Sequence, residues 1–131
     1  MEELNQVFVS YSHQDREWVR EFVEKLMKEG VYVWLDEKEI AVGESIADKL
    51  EQGLRSSDSL VFVLSSENIH SSNLFFELGA ALGAGKRVIA IVDKNVPAKD
   101  LPLPIRRRRY LLRGNPEETA RDVVEALTTA H

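Results

Sequence analysis

Glu77 is the only charged side chain between positions 71 and 85 of this 131-residue chain. Asp, Glu, Lys and Arg make up 30% of the whole, so a window of that length should hold about four or five of them. Around Glu77 stand Leu74, Phe75, Phe76, Leu78, Ala80, Ala81 and Leu82. Apolar residues on nearly every side mark this helix as buried or as part of an interface. A carboxylate in such surroundings is costly unless it is partnered, and Gln or Ala would fill a purely structural position at lower cost. Glu77 also falls within the first turns of its helix, where free amide groups and the dipole favour an anion. It is therefore expected to remain a working carboxylate. The chemistry open to one fixed carboxylate is stabilisation of positive charge as it develops, as on the sugar carbon in glycoside cleavage.

Other chemistries are excluded by composition. There is no cysteine, so disulfides, thiolate nucleophiles and Cys-based zinc sites are absent. His13, His70 and His131 show no ligand spacing, and no metal is expected. The formal net charge of −5 argues against nucleic acid as a partner, because phosphate binding needs a basic surface. The polar, acidic first residues do not read as a signal peptide. No apolar run reaches the roughly 18 to 20 residues that span a bilayer. A cytoplasmic setting without membrane contact is the expectation. The length fits one domain over residues 1–131.

The elements that must position Glu77 alternate between two hydrophobic periods. Val7, Phe8 and Val9 form a short β-rich run. Residues 15–29 carry Trp18, Val19, Phe22, Val23 and Leu26 at helical spacing, closed by Gly30. Strands are predicted at 31–35, 60–64 and 88–92, with a short fifth at 110–112. Helices are predicted at 45–54, 73–84 and 116–128, the last with Pro116, Glu117 and Glu118 in its first turn. The Pro-containing stretch 96–104 reads as a loop within the domain. Short apolar strands alternating with helices imply parallel pairing and right-handed crossovers. The expected architecture is a flavodoxin-like, doubly wound five-stranded parallel sheet of order 2-1-3-4-5 flanked by helices. Its ligand crevice lies beyond the carboxyl ends of the strands, near the switch between strands 1 and 3.

Three segments, in order, resemble the Toll/interleukin-1 receptor (TIR) family. Val7-Phe8-Val9-Ser10-Tyr11-Ser12, followed by Asp15, is similar to the family's first conserved box. Gly30-Val31-Tyr32-Val33-Trp34-Leu35-Asp36, continuing through Ile40, Gly43 and Ile46, is similar to its second strand and BB loop. Ser57-Asp58-Ser59 leading into 60–66, then 71–79 with Glu77, is similar to its third strand and helix.

Some members of that family act only by assembling with other TIR domains. Others, bacterial stand-alone proteins among them, cleave NAD+ between nicotinamide and ribose with a glutamate on the third helix, in settings such as anti-phage immunity or virulence. The resemblance places Glu77 in that catalytic role, with NAD+ as substrate rather than cofactor and nicotinamide plus ADP-ribose or a cyclic isomer as products. It places Ser10, Tyr11, Ser12, His13, Trp34, Asp36, Ile40, Gly43 and Asn73 around the substrate. It also implies association with a second copy or another TIR domain through the BB loop, residues 36–44. The chain departs from the pattern at Asn73, where catalytic members commonly carry a tryptophan four residues before the glutamate; Trp34 is the ring that could serve instead.

The alternative is a non-catalytic interaction module. A response-regulator receiver would want an aspartate at the end of strand 3, where this chain has Ser65 and Ser66. A deoxyribosyltransferase-like enzyme using a similar glutamate is a further reading. Ser12 and Asp15 also suit plain helix caps, and Asp36 a plain turn. Gly43 is expected to supply a positive φ, and Ile40 an apolar loop tip for a subunit contact. Gly79 and Gly83, four apart in a helix, are expected to allow close helix–sheet packing. The arginine run 106–109 reads as solvated surface, or as a site for a nucleotide phosphate or an acidic patch on a partner.

Overall fold

The computed structural model describes residues 6–37, 57–70, 72–108 and 110–128, and for residues 36, 37 and 72–74 the backbone alone. Five parallel strands form one sheet: β1 (Gln6–Tyr11), β2 (Tyr32–Glu37), β3 (Ser59–Leu64), β4 (Arg87–Val92) and β5 (Leu111–Leu112). Their order is β2-β1-β3-β4-β5, as the alternation of elements predicts. The described helices are α1 (Arg16–Lys28), α2 (Ser72–Gly83), α3 (Leu103–Arg106) and α4 (Pro116–Thr128). The predicted helix at 45–54 lies outside the described residues, as do Ile40, Gly43 and His131.

The pleat divides the core in two. Val7, Val9 and Tyr11 face α1 and α4, where they meet Val61, Val63, Phe22 and Val123. Phe8 faces the other way and packs with Leu60, Phe62, Leu64 and, from α2, Leu78 and Ala81. Because β1, β3 and β4 are covered on both faces, their inner stretches 7–9, 60–64 and 88–92 read as unbroken apolar runs. Burying each large side chain of this kind contributes about 1.5–3 kcal/mol.

Helix ends follow local chemistry. Gly30 closes α1 with φ 89°, a left-handed angle that disfavours a side chain, and the Val31 amide donates back to the Leu26 carbonyl. Asn115 caps α4, its Oδ1 accepting from the Glu118 amide at 2.8 Å. The short α3 sits where only a loop was expected. Its two prolines, Pro102 and Pro104, fall before and within the first turn, where a missing N–H costs nothing.

Gly79 and Gly83 correct another expectation. Both are exposed, and a Cβ on either would meet nothing within 4 Å. They do not bring α2 close to the sheet. Gly79→Ala should therefore stabilise the domain by about 1 kcal/mol through helix propensity alone. Denaturant unfolding checks this; a loss of stability would mean the face is covered.

Candidate functional site

The loop after β3 returns the chain at the carboxyl edge of the sheet, so the first turns of α2 stand beside the ends of β1 and β3. Glu77 is the sixth residue of α2 and is 1% exposed. It is not a solvated helix residue. Ser10, near the end of β1 and 2% exposed, donates its Oγ hydrogen to Glu77 Oε1 at 2.9 Å across 67 positions of sequence. The bond orients the carboxyl group. The pair lies near the carboxyl end of β1, where the strand order turns, with β1 between β2 and β3.

The other expected site residues separate into groups. Trp34 is half-buried and packs against the same core as Phe8, its register partner, so it stands on the Glu77 side of the sheet. Asp36 pairs with Ser10 in the β1–β2 register, one pleat further along; its side chain is outside the described residues. Asn73 lies in α2 one turn before Glu77, again with its side chain undescribed. Tyr11 is placed elsewhere. It is 5% exposed, and alternation along β1 turns it to the α1–α4 core, away from Glu77. Ser12 caps the 3₁₀ turn His13–Asp15, its Oγ accepting from the Gln14 amide at 3.5 Å, and His13 is half-buried in that turn.

Asp15 makes no side-chain cap bond on α1. Buried, it takes an ion pair from Arg113 (Nη1 to Oδ1, 2.9 Å) and a hydrogen bond from Ser65 Oγ to Oδ2 at 2.8 Å. Arg113 also lies 3.7 Å from Asp93 and 4.6 Å over the Trp18 ring, whose Nε1 donates to the Gly114 carbonyl. Asn68 fixes the neighbouring turn, donating to the Val63 carbonyl and accepting from the Ser65 amide. These bonds tie the ends of β1, β3, β4 and β5 into one rim. Nothing local in the sequence announces it, because the partners are 50 and 98 residues apart. Arg113→Ala leaves a buried carboxylate short of its cation and should cost about 3 kcal/mol of stability. Arg113→Lys keeps the charge but loses the planar stacking on Trp18, and should fall between the two. Equilibrium unfolding in urea measures both.

Among the described residues no group of three or more His, Asp or Glu is placed to hold a metal ion. No described helix is long and apolar enough to cross a membrane.

A family profile described as the TIR domain matches residues 7–127. The chain is similar to the NAD(+) hydrolase TcpA of a Theionarchaea archaeon, with 34% identity over 76% of this chain and 27% of that protein. It is similar to the 2′ cyclic ADP-D-ribose synthase AbTIR of Acinetobacter baumannii, with 38% identity over 55% of this chain and 27% of that protein. The chain thus spans about a quarter of the length of these relatives. In structure it resembles the TIR domain of the Toll-related receptor TRR-2 from Hydra magnipapillata, with TM-score 0.69, 21% identity and 89% of each chain covered.

Proposed function

The chain belongs to the TIR domain family, and from that premise we propose that it cleaves NAD+ at the nicotinamide–ribose bond, with Glu77 as the catalytic carboxylate. The observation that carries this reading is the seating of Glu77: a carboxylate 1% exposed, held by Ser10 Oγ at 2.9 Å, beside the carboxyl end of β1. The relatives named NAD(+) hydrolase and cyclic ADP-D-ribose synthase support it.

In the proposed reaction the C–N bond to nicotinamide breaks, and its electron pair neutralises the pyridinium, so no general acid is required. The ribose carbon gains oxocarbenium character, which the fixed charge of Glu77 stabilises through contact with the ribose hydroxyls. Water then adds to that carbon and releases a proton, giving ADP-ribose; attack by a hydroxyl of the same nucleotide, with loss of its proton, gives a cyclic ADP-ribose instead. Trp34, Ser12, His13, Asp36 and Asn73 are proposed to border the substrate. A second TIR domain is proposed to dock through residues 36–44. The setting we propose is the cytoplasm, where NAD+ is available.

Concentrated protein incubated with NAD+ should release nicotinamide with a matching yield of ADP-ribose or of a cyclic ADP-ribose lighter by one water, identified by mass. No turnover at any protein concentration would leave the interaction module as the surviving reading.

A further inference from the structure

The rim around Asp15 takes no part in the bond-breaking step, yet it joins the stretch of chain that leaves Ser10 to the stretch that leads toward Glu77. Asp15 ends the 3₁₀ turn that follows β1, shortly after Ser10. The turn 65–69 carries the chain out of β3 toward α2, where Glu77 lies. Whatever links these two turns sets how the end of β1 stands against α2.

Two links join them. Ser65 Oγ gives its one hydrogen to Asp15 Oδ2 at 2.8 Å and accepts from the Glu67 amide at 3.3 Å, so the hydroxyl is committed in both directions. Gln14 satisfies its side-chain amide with the nitrogen turned to Glu67, donating to Oε1 at 2.7 Å and Oε2 at 2.9 Å. The links differ in weight. Gln14 and Glu67 are exposed, whereas Asp15 and Ser65 are buried, where water does not compete for the bond. Each side of the buried link is itself anchored. Arg113 holds the other oxygen of Asp15 at 2.9 Å. Ile69 is buried in the core that contains Phe8 of β1 and Leu78 of α2. Asp15 makes no side-chain cap bond on α1, so its carboxylate is spent on this link and on Arg113.

We propose that Asp15 is a positioning residue: with Ser65 it clamps the turn after β1 to the turn that leads into α2, and so keeps Ser10 Oγ aimed at Glu77. The proposal rests on NAD+ cleavage by Glu77. Neither Asp15 nor Ser65 touches the substrate in it, and both act through Ser10. A catalytic group displaced by about 1 Å can lose about 10²-fold in rate, so a clamp remote from the bond that breaks is enough to govern turnover.

Steady-state NAD+ kinetics on the whole chain, run below the melting transition of every variant, test this. Ser65→Ala deletes the buried link and leaves the Asp15–Arg113 pair in place. Its kcat should fall about tenfold with KM little changed. Ser65→Thr keeps a hydroxyl and should recover most of the rate, while Asp15→Asn should lose at least as much as Ser65→Ala. Because the clamp works through Ser10, adding Ser65→Ala to Ser10→Ala should slow turnover by less than about twofold more. Val123→Ala, a core change on α4 outside both turns, should melt lower and keep the wild-type kcat. If the wild type turns over NAD+ and Ser65→Ala keeps its kcat, the positioning role is overturned and catalysis by Glu77 stands. Losses that multiply in the double variant, or a Val123→Ala as slow as Ser65→Ala, would overturn it in the same way. A wild type without turnover would remove the NAD+ reading and the clamp's role together.

Discussion

Glu77→Gln should lower nicotinamide release by about 10³-fold, the scale seen when one preorganised electrostatic group is removed from an active site. The substitution keeps the shape of the side chain and an oxygen able to accept from Ser10 Oγ, so the fold should survive. What it removes is the charge. If Glu77 acts only when the ribose carbon becomes positive, the loss falls on kcat, and KM moves little. Nicotinamide quantified by chromatography gives the rate, and a thermal melt run in parallel gives the stability. A variant that melts like the wild type and still turns over NAD+ at the wild-type rate would remove Glu77 from the mechanism. A variant that is inactive because it is unfolded would show itself in the melt.

Ser10→Ala is the second large effect. The hydroxyl it deletes is buried and bonded to the carboxylate at 2.9 Å. A hydrogen bond to a charged group is worth about 1.5–3 kcal/mol. If that bond is what aims Glu77, turnover should drop by about 10- to 100-fold with little change in KM. Ser10→Thr keeps the hydroxyl and suits a strand, so it should recover much of the rate. Equal losses in both variants would point to packing at the end of β1 rather than to the bond. An unchanged kcat in Ser10→Ala would show that Glu77 is aimed by its other contacts.

Much of this arrangement is legible in the sequence, and the legible parts share a cause. Strand interiors covered on both faces are apolar, so residues 60–64 and 88–92 announce themselves. A helix packed on one face repeats every 3.6 residues, which fixes α1 and α4 nearly to the residue. Glu77 stands out because charge is missing around it, a signal that survives ignorance of the fold. Its partner does not. Ser10 is an ordinary residue until the β1–β3 register brings it under α2. Tyr11, adjacent to Ser10, was expected beside the substrate, yet a strand turns neighbours to opposite faces. Gly79 and Gly83 make a related point. Glycine permits close approach, but permission does not say that a neighbour comes close. The short α3 escaped because two prolines argue for a loop everywhere except in a first helical turn.

The ion pair between Asp15 and Arg113 has a consequence for synthesis. Its members are 98 residues apart in a chain of 131. A ribosome adding about 5 to 20 residues per second makes the carboxylate some 5 to 20 s before its guanidinium. Throughout that interval the nascent N-terminal βα unit has Asp15 without the cation that later neutralises it. The strand-end rim can close only after residue 113 has been made, so it forms later than the βα unit that carries Asp15.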